Sequence, residues 1–258
     1  MRSLIVGDLH TKHHILEKVK ELSKNYDKII FLGDYVDDWD TVPEASYNIL
    51  VRLKEFYEQN LGKVVLLTGN HTASEWWGGD FRCSGWNPVT SQYVGNFMTK
   101  FNSIFNLAYA QDNFLFTHAG VIQLWADKYL DLEEYNAETI AKKLNFIFHH
   151  WGEDDEAEKI FKGLTDVGYY RGGNATCPSP LWTDINELLT DPLTGVNQIV
   201  GHTPVHTVLH YNVKGNDLYF CDTHSLFSNH SPIGDSSLLE IVDGKVRKIS
   251  LDGKELAW

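Results

Sequence analysis

Five stretches of the chain each close an apolar run with a glycine or small residue and a side chain able to bind a metal. They are GDLH (Asp8, His10), GDYVDD (Asp34, Asp37), GNH (Asn70, His71), THAG (His118) and GHTP (His202). Together they offer oxygen donors from Asp8, Asp34 and Asn70, further acids nearby, and at least three imidazoles. Such a mixture suits Mn, Fe, Zn or Co better than the all-oxygen shell expected for Ca or Mg. Two ions about 3.5–4 Å apart, sharing one aspartate, activate water and clamp both oxygens of an in-line displacement at phosphorus. Alone, any one of these stretches reads as an ordinary turn or an ordinary histidine. Five in series point to a metal centre.

The acids are crowded. GDYVDDWD, residues 33–40, places Asp34, Asp37, Asp38 and Asp40 close together. Like charges at that spacing cost about 1 kcal/mol per pair in water and more in a drier cleft. Either the acids form a solvated loop, or a cation holds some of them.

These side chains need elements that bring them together. Ser3 to Val6 is a short apolar run, and Ile15, Val19 and Leu22 then recur at helical spacing. KIIFLGD reads as a buried strand; Pro43 and Glu44 suit a helix start, with Ile49, Leu50, Leu53, Phe56 and Tyr57 as its apolar face. KVVLLTGNH is a third buried strand. Alternating strands and helices with continuously apolar strands imply a parallel sheet covered on both faces. Residues just beyond the carboxyl ends of such strands converge on one crevice. Asp8 and His10, two apart at an extended strand end, would point the same way.

Residues 73–100 break the rhythm with a Trp- and Gly-rich irregular insertion leading into a helix near 89–103. Short strands follow near 106–110 and 113–117, then a helical segment over 121–162 and a loop rich in Gly, Pro and Cys at 168–182. The chain returns to strands in NQIVGHTP, HTVLHY, DLYFCDTH, SLLEIVDG and KVRKISLDG, with Asp-Gly turns marking a closing hairpin.

With 258 residues, 43% hydrophobic and only 7 Pro, and no Pro/Ser/Gly-rich linker, the sequence reads as one domain over 1–258. The net charge of −13 argues against nucleic-acid backbones and anionic membranes as partners. A phosphorylated substrate fits, provided the site brings its own positive charge. Cys83, Cys177 and Cys221 are far apart and odd in number, which suits a reducing compartment. The first apolar run is too short for a signal peptide and no stretch approaches the ~18 apolar residues of a membrane span, so a cytoplasmic protein is expected.

The set of motifs resembles the calcineurin-like metallophosphoesterases, a family that includes the Ser/Thr protein phosphatases and symmetrical dinucleoside tetraphosphatases. Their signature GDxH, GDxxD, GNH, HxG and GH is matched by GDLH, GDYVD, GNH, HAG and GHTP over residues 7–204. The resemblance implies an α/β fold, a β-sandwich flanked by helices in four αββα layers, with the strands at 106–117 and 197–251 supplying the second sheet. It implies two divalent transition-metal ions, Mn foremost, with Fe, Zn, Ni or Co as alternatives. Asp8, His10 and Asp34 would hold the first; Asp34 would bridge to the second, completed by Asn70, His118 and His202. A bridging hydroxide would attack phosphorus, His71 would protonate the leaving oxygen, and Asp37 would orient the His71 ring. The implied activity is phosphate-monoester hydrolysis of the protein-phosphatase type, on a phosphoprotein, nucleotide or small phosphoester. The runner-up is a nucleotidase or dinucleoside polyphosphate hydrolase. A non-catalytic metal-binding interaction module is a third reading, opposed by the intact ligand set with His71.

The departures bear on substrate. The protein-phosphatase branch reads GDxVDRG, with an arginine gripping phosphate, whereas Asp38 and Trp39 follow here, and GNHE becomes GNHT with Thr72. Arg82 and Arg171, in Gly-rich loops, are candidates to replace that clamp, or are solvated surface residues. Pro204 stands where the phosphodiesterase branch has a second histidine, and His206 lies two residues on. His224 either lines the site or pairs within the sheet. Trp76, Trp77 and Trp86 follow His71. They either cap the core or, through Trp76, stack on a flat leaving group. His13, His14, His149 and His150 read as surface residues.

Overall fold

Short runs buried on both faces form the central strands, set between amphipathic helices. The computed structural model describes residues 1–258. Its strands are β1 (Arg2–Val6), β2 (Lys28–Phe31), β3 (Val64–Leu67), β4 (Phe105–Asn106), β5 (Ala108–Gln111) and β6 (Phe114–Thr117). After these come β7 (Asn197–Pro204), β8 (Leu209–Val213), β9 (Asn216–Asp222), β10 (Leu238–Val242), β11 (Lys245–Ile249) and β12 (Glu255–Leu256). The helices are α1 (His13–Leu22), α2 (Pro43–Gln59), α3 (Asn70–Trp77) and α4 (Pro88–Phe101). They continue with α5 (Gln123–Tyr129), α6 (Ala137–His150), α7 (Asp155–Lys162) and α8 (Ile185–Thr190).

The strands form two sheets, one ordered β12-β11-β10-β1-β2-β3-β4 and the other β5-β6-β7-β9-β8. Strands β1 to β4 run parallel, with Leu4 beside Ile29 and Ile30 beside Val65. In the second sheet β6, β7 and β9 are parallel, with antiparallel β5 and β8 at the edges. The alternation of side chains along a strand sorts them into two interiors. Leu4 and Val6 join the larger cluster with Ile15, Val19, Ile49 and Leu53 of the covering helices. Ile5 belongs to the other, where Ile30, Leu67 and Leu239 of one sheet meet Phe116, Ile199 and Tyr219 of the other. That second cluster is the sandwich interior, and α6 covers the far sheet against β5 and β6. The result is the expected four-layer αββα arrangement.

Two expectations are corrected, and a third is refined. Strands β10 and β11 belong to the first sheet: β10 lies antiparallel to β1, with Leu4 opposite Glu240. Their alternation fits either sheet, and the long connection from β9 carries the chain back. Residues 70–77 are helical, so Trp76 and Trp77 sit on α3 and not in an irregular segment. The 121–162 stretch is three helices, with α6 started by a capping box between Asn136 and Thr139. The closing hairpin is present, and its turn residues Asp243 (φ 49°) and Gly244 (φ 77°) are both left-handed, as a two-residue hairpin loop requires. All three cysteines are free, and no helix is long and apolar enough to cross a membrane.

Candidate metal centre and active site

The parallel strands of both sheets deliver their carboxyl ends to one crevice. Asp8 and His10 follow β1, Asp34 and Asp37 follow β2, and Asn70 and His71 open α3 after β3. His118 follows β6, and His202 lies within β7 where its register with β9 shifts. Four of these residues hold left-handed backbone: His10 (φ 40°), Asp34 (φ 43°), Asp37 (φ 65°) and His202 (φ 64°). Each such residue costs on the order of 1 kcal/mol or more, and the site offsets this with local hydrogen bonds. Leu9 N and His10 N both donate to Asp34 O at 2.9 and 2.8 Å, and His202 N donates to Asp8 Oδ1 at 3.1 Å. Asp8 and His10 are thus not brought together along an extended strand. β1 stops at Val6, and a left-handed turn brings the His10 Nε2 to 3.8 Å from Asp8 Oδ2.

Two donor sets result. Ligand atoms of Asp8, His10 and Asp34 lie within 4.8 Å of one another, and so do those of Asp34, His118 and His202. Asp34 is common to both. Asn70 Oδ1 stands 2.9 Å from His118 Nε2 and 2.9 Å from His202 Nδ1. Gly69 lets this happen, because a Cβ there would overlap the Asp34 carboxylate. The imidazoles are held from behind: His10 Nδ1 faces Asp37 O at 2.7 Å and His118 Nδ1 faces Leu32 O at 3.0 Å. A carbonyl partner fixes each Nδ1 as the donor and leaves Nε2 as a lone-pair ligand.

The electrostatics are those of a place that wants a cation. Burial pushes Asp8 well above the ordinary carboxylate range, with Asp222 and Asp34 adding to the effect. For Asp34, burial is outweighed by His118, 3.2 Å away, and the carboxyl is held low. Burial opposes charge on His118 too, but Asp34 and Asp8 raise it to about 9. His202 goes the other way, pushed well down by burial, Arg171 and His118. Its Nε2 is buried with no hydrogen-bond partner, while Nδ1 lies 3.2 Å from His118 Nε2. Buried imidazole nitrogens facing each other over shared oxygens are satisfied together by a bound divalent ion, so these residues fit the metals their donor chemistry implies.

His71 occupies the first turn of α3 beside this set. Its N–H donates to Asp34 Oδ1 at 2.9 Å, its Nδ1 lies 2.8 Å from Asp37 Oδ2, and its ring meets that of His10 edge-on at 5.2 Å. Burial opposes protonation of His71, but the hydrogen bond to Asp37, with help from Cys83 and Asp34, raises it well above the ordinary histidine range.

The calcineurin-like phosphoesterase family profile matches residues 1–211, which contain all of these ligands. The chain belongs to that family. It is a metal-dependent phosphoesterase. The fold is similar to the cold-active protein-tyrosine phosphatase of a psychrophile, Shewanella sp., with TM-score 0.62 and 16% identity over 99% of this chain and 79% of that one. A second structure of a cold-active protein tyrosine phosphatase gives TM-score 0.61 and 18% identity over 99% of this chain and 78% of that one. A metallophosphoesterase from Sphaerobacter thermophilus gives TM-score 0.43 and 17% identity over 100% of this chain and 89% of that one. No curated protein matches the sequence.

Around the phosphoesterase centre lies a cavity of about 510 Å³ that contains Asp8, His10, Asp34, Asn70, His71 and His202 on its wall. Arg171 is the one arginine or lysine lining it. Its Nη2 donates to Thr203 Oγ1 at 2.8 Å and to His202 O at 3.2 Å, and its Nε stands 3.1 Å from Asp184 Oδ2. Arg82 lies outside the cavity; its guanidinium covers Trp86 at 3.8 Å, an exposed stacking contact. Trp76 also lies outside, stacked on Trp77 at 4.8 Å and edge-on to Phe148 at 5.7 Å, so it packs the core between α3 and α6. The aromatic rings on the cavity wall are Trp39 and Trp182 instead.

Other expectations sort by position. Asp38 pairs with Lys12 Nζ at 2.6 Å, and Asp40 is exposed beside His230 at 3.3 Å. His206 points to Ile233 O on the surface. His224 is buried just beyond β9, its Nδ1 3.2 Å from Asp8 O, and burial lowers it to about 4. Asp222, one residue class that motif reading passed over, lines the cavity and accepts from Ser225 Oγ at 2.8 Å. The signal for it was present, since YFCD is another apolar run ending in an acid, but no glycine precedes it.

Proposed function

We propose that this chain is a dinuclear metallophosphatase acting on phosphate monoesters, close in chemistry to the protein-phosphatase branch, and that residues 1–258 work as one domain in the cytoplasm. The observation that carries this reading is the pair of donor sets sharing Asp34 beside the His71–Asp37 pair. Asp8, His10 and Asp34 would hold one ion, and Asp34, Asn70, His118 and His202 the other, with Mn the best match to the mixed donors. When bound, the ions activate water and offset the charge of the phosphate. The chain's own residues supply the rest. Asp37 holds the His71 Nδ1–H and so favours the protonated ring, and His71 gives the proton on its other nitrogen, Nε2, to the departing oxygen, so that an alkoxide never has to leave unprotonated. Arg171, already braced by Asp184 and Thr203, offers the one arginine or lysine of the cavity wall to a phosphate oxygen.

Rates measured with Mn on an aryl monoester, an aryl diester, a phosphotyrosine peptide and a dinucleoside polyphosphate test this reading. The likeness to a protein-tyrosine phosphatase makes that peptide the first choice. The aryl monoester and the peptide are expected to be fastest; a diester or dinucleotide turned over faster than both would overturn the monoester assignment. A nucleotidase is the second reading, favoured by Trp39 and Trp182 as flat surfaces on the cavity wall.

A further inference from the structure

The segment joining α3 to α4 presses directly on the partner of His71. Gly85 holds φ +90°, and a Cβ at this position would overlap Asp37 Oδ2, the oxygen that faces His71 Nδ1. Both ends of the segment are tied to α3. Cys83 N donates to Ser74 Oγ at 3.0 Å, and Asn87 N donates to Glu75 Oε1 at 3.0 Å. The start of α4 is tied there too, by Ser91 Oγ donating to Glu75 O at 2.7 Å. Helix α3 therefore carries His71 on its first turn and, one turn on, the anchors of the segment that backs Asp37.

Glu75 is an unusual anchor. It is 1% exposed, and its Oε2 has no hydrogen-bond partner. A buried carboxyl with an unmet oxygen costs about 1–3 kcal/mol, which an apolar residue would avoid. Its one side-chain hydrogen bond is the one it accepts from Asn87 N. What it holds is the backbone of Asn87, and through it the placement of Gly85.

We propose that Glu75 and Gly85 are positioning residues: Glu75 pins the 83–87 segment so that Gly85 confines the Asp37 carboxylate, and Asp37 in turn fixes the His71 ring for proton delivery. The inference rests on His71 being the acid. A carboxylate is broadly free about its last torsion, and packing against one side removes that freedom. Because a misplacement of about 1 Å costs on the order of 10²-fold in rate, such a backing matters most where the proton is needed most.

Two measurements test it. In the metal-free protein the His71 Nδ1 proton held by Asp37 gives a downfield proton resonance, identified by its loss in His71→Asn. Glu75→Ala and Gly85→Ala are expected to shift or broaden this resonance, and Glu75→Gln, which keeps the acceptor for Asn87, to restore it. With Mn, Glu75→Ala and Gly85→Ala should lose about tenfold or more in kcat on phenyl phosphate and less than about twofold on 4-nitrophenyl phosphate. Glu75→Gln should recover the phenyl phosphate rate. An unmoved resonance in both Glu75→Ala and Gly85→Ala overturns the proposal, as does an equal loss on the two substrates. If His71→Asn itself slows both substrates alike, the acid assignment fails, and the resonance alone then decides whether Glu75 and Gly85 position the ring. Should Gly85→Ala not fold, the comparison of Glu75→Ala with Glu75→Gln carries the same decision.

Discussion

Asp34 accepts the backbone N–H of His71 at 2.9 Å, so the carboxylate common to both donor sets also fixes the start of the helix that carries the proposed acid. On the proposed reading, metal binding and proton delivery would be mechanically joined through this contact. Asp34→Asn separates charge from geometry, because an amide oxygen can still accept from His71 N. The variant is expected to fold, to retain less than one ion per chain by elemental analysis, and to lose activity by on the order of 10³-fold or more. Two ions retained at an undiminished rate would remove Asp34 from its bridging place.

His71→Asn leaves every proposed metal donor in position and removes only the imidazole. Its loss should fall on kcat by about 10²–10⁴-fold for alkyl and phenyl phosphates and shrink as the leaving group becomes a better one. Metal content is expected to stay at the wild-type value. A series of substituted phenyl phosphates measures this directly, and parallel lines for the two proteins would exclude His71 as the acid.

The crevice was legible because its chemistry is written at strand ends. Asp8, Asp34, Asn70, His118 and His202 each close an apolar run, and parallel strands bring such ends together whatever the loops do. What the pattern could not show was local backbone. His10 reaches Asp8 through a left-handed turn, and no alternation of residue types signals that. Strands β10 and β11 alternate as either sheet would accept, so only the tertiary pairing with β1 places them. Of the two readings of the Trp-rich stretch, core capping holds for Trp76. Trp76 was expected in a loop, but α3 runs on through it and points it into the core, while Trp39 follows an acid-rich turn and stays on the cavity rim.

That difference between two tryptophans can be measured. Trp76 stacks on Trp77 and Phe148, so Trp76→Ala should destabilise the fold by about 2–3 kcal/mol, below the full cost for a wholly buried ring, with KM unchanged. Trp39 is 54% exposed and its Nε1 donates to Leu226 O at 3.0 Å across the cavity mouth. Trp39→Ala should alter stability by no more than about 1 kcal/mol and raise KM for aryl phosphates several-fold. Denaturant midpoints and steady-state kinetics on the two variants separate the roles, and a KM effect from Trp76 alone would reverse them.

Glu75 supplies a prediction that does not depend on activity at all. Its burial raises the carboxyl to about 7, against an ordinary 4.5, despite the Asn87 N–H that favours the charged form. Between those values the folded protein holds a proton that the unfolded chain has released. Stability from this group is therefore greatest below about 4.5 and is lost as the pH rises through about 7. One pKa unit corresponds to about 1.4 kcal/mol, so the loss amounts to about 3 kcal/mol by pH 8. Glu75→Gln cannot ionise and keeps the acceptor for Asn87. Its stability should match wild type near pH 4.5 and exceed it by up to about that amount near pH 8. Urea unfolding of the two metal-free proteins across this range reads the difference, which cancels the contributions of the other titrating groups. A constant gap between the two curves would mean that Glu75 is ionised throughout and that the unpartnered oxygen is met by solvent.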